Sequence, residues 1–347
     1  MHKHGQLGMG MRIRCRLRPS SRRRCRLLGG DTAAFCASLV EGLAHLENTL
    51  EVDHQSGTVS MRWCADAMRL VKRMQREMLA IFRKADVPVA VSSSGAAAGD
   101  WFEHYMQETA ALLDFCNAFK AALSRMHRYC MVVDFAAQVI VGRAADGGAA
   151  AASLVVDPCH AQVAASAAFG DKMADAKAAV AEAERLGRAI IVSGASGDDA
   201  GGMVVVTLVA KITTSVLSMF VLQALTAPPA AVVNNGGVRP TITSAVDVVP
   251  PELEPWCESL SLIHARFPSP AAVAEHEKVA TAVRDLVSGK VDGGGRGEQQ
   301  QEELLRARSG ELREGVEMFD CVLDEVFDEV IRGRNEMLGI LRDKALT

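Results

Sequence analysis

The stretch that decides the fold runs from Asp100 to Val141 and reads DWFEHYMQETAALLDFCNAFKAALSRMHRYCMVVDFAAQVIV. Its apolar residues recur every three or four positions, and it contains neither proline nor glycine. This spacing predicts one uninterrupted amphipathic helix. At 1.5 Å per residue such a helix is about 60 Å long, which exceeds most globular helices and indicates an elongated bundle.

Working outward from this stretch, the same rhythm predicts further helices at 31–50, 60–85, 171–187, 251–266, 270–289 and 299–343. Asp31 or Thr32 is the expected N-cap of the first of these helices and Ser60 of the second. The sequence therefore predicts an all-α fold, an elongated multi-helix bundle with long antiparallel helices and one very hydrophobic central helix.

The chain divides into six segments by composition. In order they are a basic arm at 1–30 that we expect to be disordered, a long-helix region at 31–145, a linker with a short helix at 146–202, a hydrophobic helix at 203–225, a loop at 226–250, and further helices of the same bundle at 251–347, where the loop 290–298 precedes the last helix.

The hydrophobic segment Met203–Leu225 is long enough to cross a bilayer, because 23 residues span about 34 Å as a helix. Its Val, Leu, Ile and Phe residues favour insertion by about 4 to 7 kcal/mol. Lys211 opposes insertion by roughly 2.5 to 3.5 kcal/mol, and several hydroxyl groups add to that cost. The segment is therefore either a marginal membrane helix or, the interpretation we prefer, a buried central helix in which Lys211 snorkels or pairs with an acid.

Charge is distributed unevenly along the chain. The arm 1–30 carries nine Lys and Arg residues and no acid, whereas the remainder is acidic. An anionic partner is expected for the arm: lipid headgroups, nucleic acid or the acidic body itself. The Arg-rich composition also suits an organellar transit peptide, but plastid import is the less favoured interpretation because the arm has few serines and little amphipathic periodicity.

The nine cysteines are odd in number, scattered, and include no CxxC pair. Most lie among apolar residues of predicted helices, where a free thiol packs as a small hydrophobe. We therefore expect free cysteines and a reducing, cytoplasmic compartment, with membrane association through 203–225 as the alternative.

Candidate sites for chemistry are few. Ala189–Gly202 is glycine-rich but contains neither phosphate-loop pattern. His104 and Glu108 have the spacing of two metal ligands, although a polar contact on the helix surface is the preferred interpretation. Cys159 and His160 are adjacent and point apart, and Ser193 does not lie in a nucleophile elbow.

Two features of the helices have electrostatic interest. Asp114 lies in an apolar run, and we expect it to pair with Lys72 or Arg73 of the neighbouring helix. The basic face of 69–84 lacks the aromatic residues that would stack on bases, so we expect no nucleic-acid partner. The sequence thus predicts no catalytic, cofactor-binding or metal-binding residue and no cofactor.

Several short stretches carry a family resemblance. They read WCADAM at 63–68, ADVP at 85–88, DWFEHY at 100–105, ALLDFCNAF at 111–119, LSRM at 123–126 and FDEVIRGR at 327–334. In their order and wording they resemble the plant BYPASS family and its ROH-type relatives, which overlap uncharacterised plant proteins of the UPF class. The likeness covers 31–141, 203–225 and 305–342; the arm 1–30, the Ser92–Gly99 insert and the loop 290–298 depart from it.

The resemblance implies a plant protein of root and shoot development. One branch of the family resembles a regulator of a root-derived mobile signal that controls shoot growth, and the other a partner of an exocyst subunit in secretion. Neither branch supplies catalytic residues to carry over. We therefore expect a non-enzymatic interaction protein; an exocyst-associated adaptor and an enzyme that modifies a small signalling molecule are the alternatives. The enzyme would require a polar pocket in the bundle with two titratable groups in contact.

Overall fold

The computed structural model describes residues 29–50, 57–84, 100–142, 199–227, 253–267, 271–287 and 295–345. Within these ranges the chain forms seven helices and two short strands: α1 (Gly30–Thr49), β1 (Thr58–Val59), α2 (Met61–Lys84), α3 (Asp100–Gly142), α4 (Asp199–Thr226), α5 (Glu254–Arg266), β2 (Ala272–Val273), α6 (Ala274–Val287) and α7 (Gly295–Ala345). This architecture confirms the predicted all-α, multi-helix bundle with one strongly apolar helix.

The structure has the predicted side-chain N-cap in α2 but not in α1. The Ser60 hydroxyl accepts the backbone N–H of Trp63 at 3.1 Å, so the predicted N-cap of α2 is confirmed. The predicted capping of α1 by Asp31 or Thr32 is wrong, because Gly29 is the N-cap and no side chain caps the helix. Asp31 instead lies in the first turn, where its carboxylate complements the helix dipole.

Two predicted boundaries require correction. Helix α7 begins at Gly295, so the last residues of the predicted loop 290–298 are helical. Helix α4 begins at Asp199, four residues before the apolar run, so the end of the predicted linker 146–202 is helical as well. The helix predicted at 171–187, the loop 226–250 and all but the end of the arm 1–30 lie outside the described residues.

Helix α4 occupies the centre of the bundle. It packs against α1, α2, α3 and β2, and its span Gly202–Thr226 is 72% buried. Among the described helices it is the one that is long and apolar enough to cross a membrane. Two of its threonines donate their hydroxyls to carbonyls of the same helix: Thr207 to Met203 at 2.9 Å and Thr213 to Val209 at 2.8 Å. These two hydroxyls are thereby satisfied within the helix, whereas the Thr214 hydroxyl donates to Glu108 of α3.

Helices α2 and α7 run parallel with a constant offset of 253 residues. Lys72 pairs with Glu325, Arg76 with Glu329, and Arg83 with Glu336. Positions separated by four and by eleven residues share one helical face, because eleven residues complete about three turns. The basic stripe of α2 from Lys72 to Arg83 therefore lies along the acidic stripe of α7 from Glu325 to Glu336.

Helix α3 runs antiparallel to α7. Asp134 near the end of α3 pairs with Arg313 near the start of α7, and Lys120 pairs with Asp320 at 2.8 Å. At the other end of the pair, Arg334 donates to the Met106 carbonyl of α3 at 2.6 Å. With its 43 residues α3 is about 65 Å long, so this contact fixes the long axis of the bundle.

The two short strands pair with each other just before α2 and α6 begin. They pair in parallel, with Thr58 opposite Ala272 and Val59 opposite Val273. The chain just before β2 also places Phe267 against Phe220 of α4, with ring centroids 4.4 Å apart and an interplanar angle of 15°. Neither the pairing nor this stack was predicted, because both join segments that are distant in the sequence.

Close helix packing makes Gly42 of α1 sensitive to substitution. A methyl group at this position would overlap the side chains of Leu70 and Arg73 on α2, whereas a methyl group at Gly310 of α7 would meet open space. We expect Gly42→Ala to lower the free energy of unfolding by about 1 to 3 kcal/mol. The matched control Gly310→Ala should raise it by about 0.5 to 1 kcal/mol, because alanine favours the helix.

Chemical denaturation of both purified variants measures the difference directly. A Gly42→Ala protein as stable as wild type would contradict the tight α1–α2 contact. A destabilised Gly310→Ala protein would contradict the open space beside Gly310 of α7.

Candidate functional site

A cluster of buried polar side chains lies where α2, α3 and α4 meet. The Gln75 amide of α2 donates from Nε2 to Glu108 Oε1 of α3 at 2.7 Å, and the Thr214 hydroxyl of α4 donates to the same oxygen at 2.9 Å. All three residues are buried, and Glu108 is only 3% exposed. We refer to Gln75, Glu108, Thr214 and the neighbouring Lys211 as the core polar cluster.

The helical position of Glu108 accounts for its burial. It follows Tyr105 by three residues and precedes Leu112 by four, and both of these residues are buried. Residues at these spacings share one face of a helix. The apolar rhythm of α3 could therefore have placed Glu108 inside, since it shares a face with Tyr105 and Leu112.

Burial dominates the electrostatics of the core polar cluster. Desolvation raises the pKa of Glu108 to about 6, against the opposing effects of the hydrogen bonds from Gln75 and Thr214 and of the charge of Lys211. Lys211 is half-buried and lies one turn before Thr214 on α4. Glu108 of α3 is therefore an acid that interacts with Lys211.

The structure changes the interpretation of His104 and Glu108. The expected contact on the helix surface is wrong for Glu108, which is buried and hydrogen-bonded across helices. The charge of Lys211 lowers the pKa of Glu108, but no hydrogen bond or ion pair joins the two side chains in the described residues. A substrate could reach Glu108 only if the surrounding helices separated.

Asp114 is not enclosed by the apolar run in which it lies. Asp114 lies on the exposed side of α3. Its proposed partners are engaged elsewhere, since Lys72 donates to Glu325 at 2.8 Å and Arg73 donates to the Ser38 carbonyl at 3.1 Å. The apolar neighbours of Asp114 in the sequence therefore do not surround it in space.

The basic face of α2 is paired within the molecule. Each of its six cations has an acidic partner: Arg69 with Asp66, Lys72 with Glu325, Arg73 with Glu77, Arg76 with Glu329, Arg83 with Glu336, and Lys84 with Asp31. Three of these pairs join α2 to α7, one joins it to α1, and two lie within α2.

A second buried titratable group lies between α6 and α3. His276 is fully buried, and its ring meets that of Tyr129 edge to face at a centroid distance of 5.0 Å. Neither ring nitrogen has a hydrogen-bond partner within the described residues. Burial lowers the pKa of His276 to about 4, because the imidazolium cannot be solvated there. Sequence reasoning missed this residue.

The cysteines of the described ranges are free, as expected. Cys36, Cys64, Cys116 and Cys130 are buried, and desolvation raises the pKa of Cys36 to about 11 and that of Cys116 to about 12. These thiols therefore act as packing groups and not as nucleophiles.

Other candidate sites remain untested or empty. In the part of the chain that the structure describes, no group of three His, Cys, Asp or Glu residues could hold a metal ion. Cys159, His160 and Ser193 lie outside the described residues, as does Ala189–Gly202 up to Asp199.

One exposed apolar pair stands out on the surface of α3. Met131 and Phe135 are 60% and 56% exposed, one helical turn apart, near the end of the helix. Exposed Arg128 and Gln138 flank them on the same face. Leu262, Leu304 and Leu338 are also exposed, but none of them has a second exposed large apolar residue one helical turn away.

Comparison with models of protein families, with curated proteins and with solved structures finds no match to this chain. The resemblance to the BYPASS family therefore stays a prediction that rests on the quoted stretches.

The burial of His276 makes acid sensitivity testable. Its folded-state pKa lies below the value of about 6.5 expected in the unfolded chain, so the stability is fully present above pH 6.5 and is lost as the pH falls through 4. We expect this group to contribute about 3 kcal/mol to that loss. His276→Leu should remove the contribution, as measured by urea unfolding from pH 7 to pH 4.

The exposed His127→Leu variant of α3 is the matched control and should keep the acid sensitivity of wild type. An unchanged acid dependence in His276→Leu would show that the imidazole escapes to solvent in the native state.

Proposed function

We propose that this chain is a non-enzymatic interaction protein of plant growth signalling, acting in the cytoplasm on the response to a root-derived mobile signal. The family resemblance supports the process, and the surface of α3 supports the mode of action. The observation that carries the proposal is the pair Met131 and Phe135, two large apolar side chains that a rigid helix holds in water.

The scaffold beneath this pair is firmly held. Asp134, which lies between the two residues, pairs with Arg313 of α7, and Val133 beside it is fully buried. A partner that binds here meets a surface already in place, so little conformational entropy is lost on binding. Two apolar anchors one turn apart, flanked by the cation of Arg128, suit a partner helix with an apolar face and an acidic edge.

The exocyst-associated adaptor is the alternative within the same class of function. It would use the same face of α3 but a different partner, an exocyst subunit. The two proposals therefore differ in which protein binds and not in where it binds.

The double variant Met131→Ser/Phe135→Ser tests the docking face. Because both side chains are more than half exposed, we expect the melting temperature to stay close to that of wild type. Shoots are grafted onto roots of a plant line that lacks the gene. Wild-type protein expressed in those roots should restore shoot growth, whereas the double variant should not. Leu262→Ser on α5, also exposed, is the matched control and should restore growth.

Full rescue by the double variant would overturn the docking face. Normal shoots on roots that lack the protein would overturn the role in growth signalling. Co-precipitation of an exocyst subunit by wild type, lost in the double variant, would support the adaptor alternative instead.

The location of α4 bears on the compartment. Because α4 is 72% buried by other helices, its apolar surface is already removed from water and gains little from a bilayer. We therefore infer a cytoplasmic protein whose contact with membranes, where it occurs, is peripheral and uses the basic arm 1–30.

Alkaline carbonate extraction of plant microsomes tests this location. We expect full-length protein in the soluble fraction, and we expect high salt to release any material that binds through the arm. Lys211→Leu should behave the same way, because the added apolarity is enclosed by the bundle. Wild-type protein that stays in the pellet would show that α4 leaves the bundle and spans the membrane.

A further inference from the structure

We propose that in mildly acidic solution the folded protein holds Glu108 as a neutral carboxylic acid paired with the Gln75 amide, and that ionisation of this one group towards neutral pH weakens the junction of α2, α3 and α4. The inference is independent of the proposed function. It concerns a proton-binding site in the bundle core.

The hydrogen bonds of the core polar cluster are incomplete when Glu108 is ionised. Glu108 Oε1 accepts from both Gln75 and Thr214, which uses its two lone pairs. The other oxygen of each partner, Glu108 Oε2 and Gln75 Oε1, is buried and has no hydrogen-bond partner in the described residues. Both atoms are acceptors in that state, and a buried unsatisfied acceptor costs about 1 to 3 kcal/mol.

A single proton removes both defects. When Oε2 carries a proton it becomes a donor, and the unsatisfied oxygen belongs to the very amide that already binds Oε1. The acid and the amide then exchange two hydrogen bonds in a closed ring. The proton comes from solvent, and no other group has to change its protonation state.

The charges around the cluster act in both directions. From α4, half-buried Lys211 favours the ionised form; α2 contributes the neutral amide of Gln75. On α3 itself, burial and Glu108 raise the pKa of Tyr105, which keeps that phenol neutral. From α7, the Arg334 guanidinium donates to Thr109 Oγ1 at 2.7 Å and to the Met106 carbonyl. Burial outweighs these charges and raises the pKa of Glu108 to about 6.

The direction of the pH effect follows from that shift. The folded protein binds this proton more tightly than the unfolded chain, so the stabilisation is present below pH 4.5 and is lost as the pH rises through about 6. The unfolding equilibrium constant should increase about 30-fold across this interval on account of Glu108. Above it, the carboxylate has Lys211 as its one compensating charge on α4.

Glu108→Gln tests the proposal, because glutamine has the shape and the hydrogen-bonding pattern of the neutral acid. Urea unfolding of the full-length protein and of the variant is measured from pH 4 to pH 8. At pH 4.5 we expect the two proteins to have similar unfolding constants. The variant should then become more stable relative to wild type, by up to about 30-fold in the unfolding constant above pH 6. Glu103→Gln, an exposed carboxylate of the same helix, should show no such divergence.

A difference between wild type and Glu108→Gln that does not vary with pH would overturn the proposal. So would a variant that loses stability relative to wild type above pH 6, since that result would make the carboxylate the preferred native form.

Infrared spectroscopy provides a second measurement that does not depend on comparing stabilities. At pH 5 the spectrum of folded wild type should show the carbonyl band of a protonated carboxyl that Glu108→Gln lacks, and the band should disappear with a midpoint near pH 6. Lys211→Met should move that midpoint to higher pH, because it removes the charge that favours ionisation. Absence of the band at pH 5 would overturn the proposal.

Discussion

The burial of α4 is the constraint on which the rest of the structure depends. Val206, Leu217 and Phe220 illustrate a helix that is apolar on every side and therefore needs neighbours on every side. Helices α1, α2 and α3 and strand β2 supply them. The features that would suit α4 to a bilayer, its length and its hydroxyls bonded to its own carbonyls, suit a bundle core equally well, so the surrounding helices decide its environment.

Helix α7 determines how those neighbours are aligned. Its acidic stripe meets α2 at a constant offset, and its Arg313 and Arg334 meet the two ends of α3. Each exposed pair contributes little to stability. A shift of α7 by one residue, however, would rotate the whole stripe away from its cations, so together the pairs select one register. Buried Glu329, which contacts Arg76, is the member least exposed to screening by salt.

The periodicity of apolar residues predicted the helices, but the apolar or polar character of the sequence neighbours gave the wrong burial for Asp114 and Glu108. The long stripe of α3 and the cap at Ser60 were readable because each depends on residues within one or two turns. Asp114 looked buried because its sequence neighbours are apolar, yet it shares a face with exposed Ala110 and Asn117. The same wheel places Glu108 inside with Tyr105 and Leu112. The angular position of each carboxylate around the helix, and not the apolar character of its sequence neighbours, determines whether it is buried.

The pairing of β1 with β2 and the burial of His276 could not be predicted in this way. The strands are two residues long and more than 200 positions apart, so neither shows a period. His276 becomes enclosed only where α6 meets the ring of Tyr129 on α3. Both features depend on how distant segments dock, and the sequence of either segment alone does not contain that information.

Two of the buried titratable groups, Glu108 and His276, act on stability in opposite directions. On folding, Glu108 gains affinity for a proton and His276 loses it, because burial opposes a carboxylate in one case and an imidazolium in the other. Tyr129, which contacts His276, lies 21 residues beyond Glu108 on α3, about 30 Å away, so their effects should add. Between pH 4.5 and 6 the two contributions partly cancel. Variants at one site separate these two contributions, because each variant removes one of them and leaves the other.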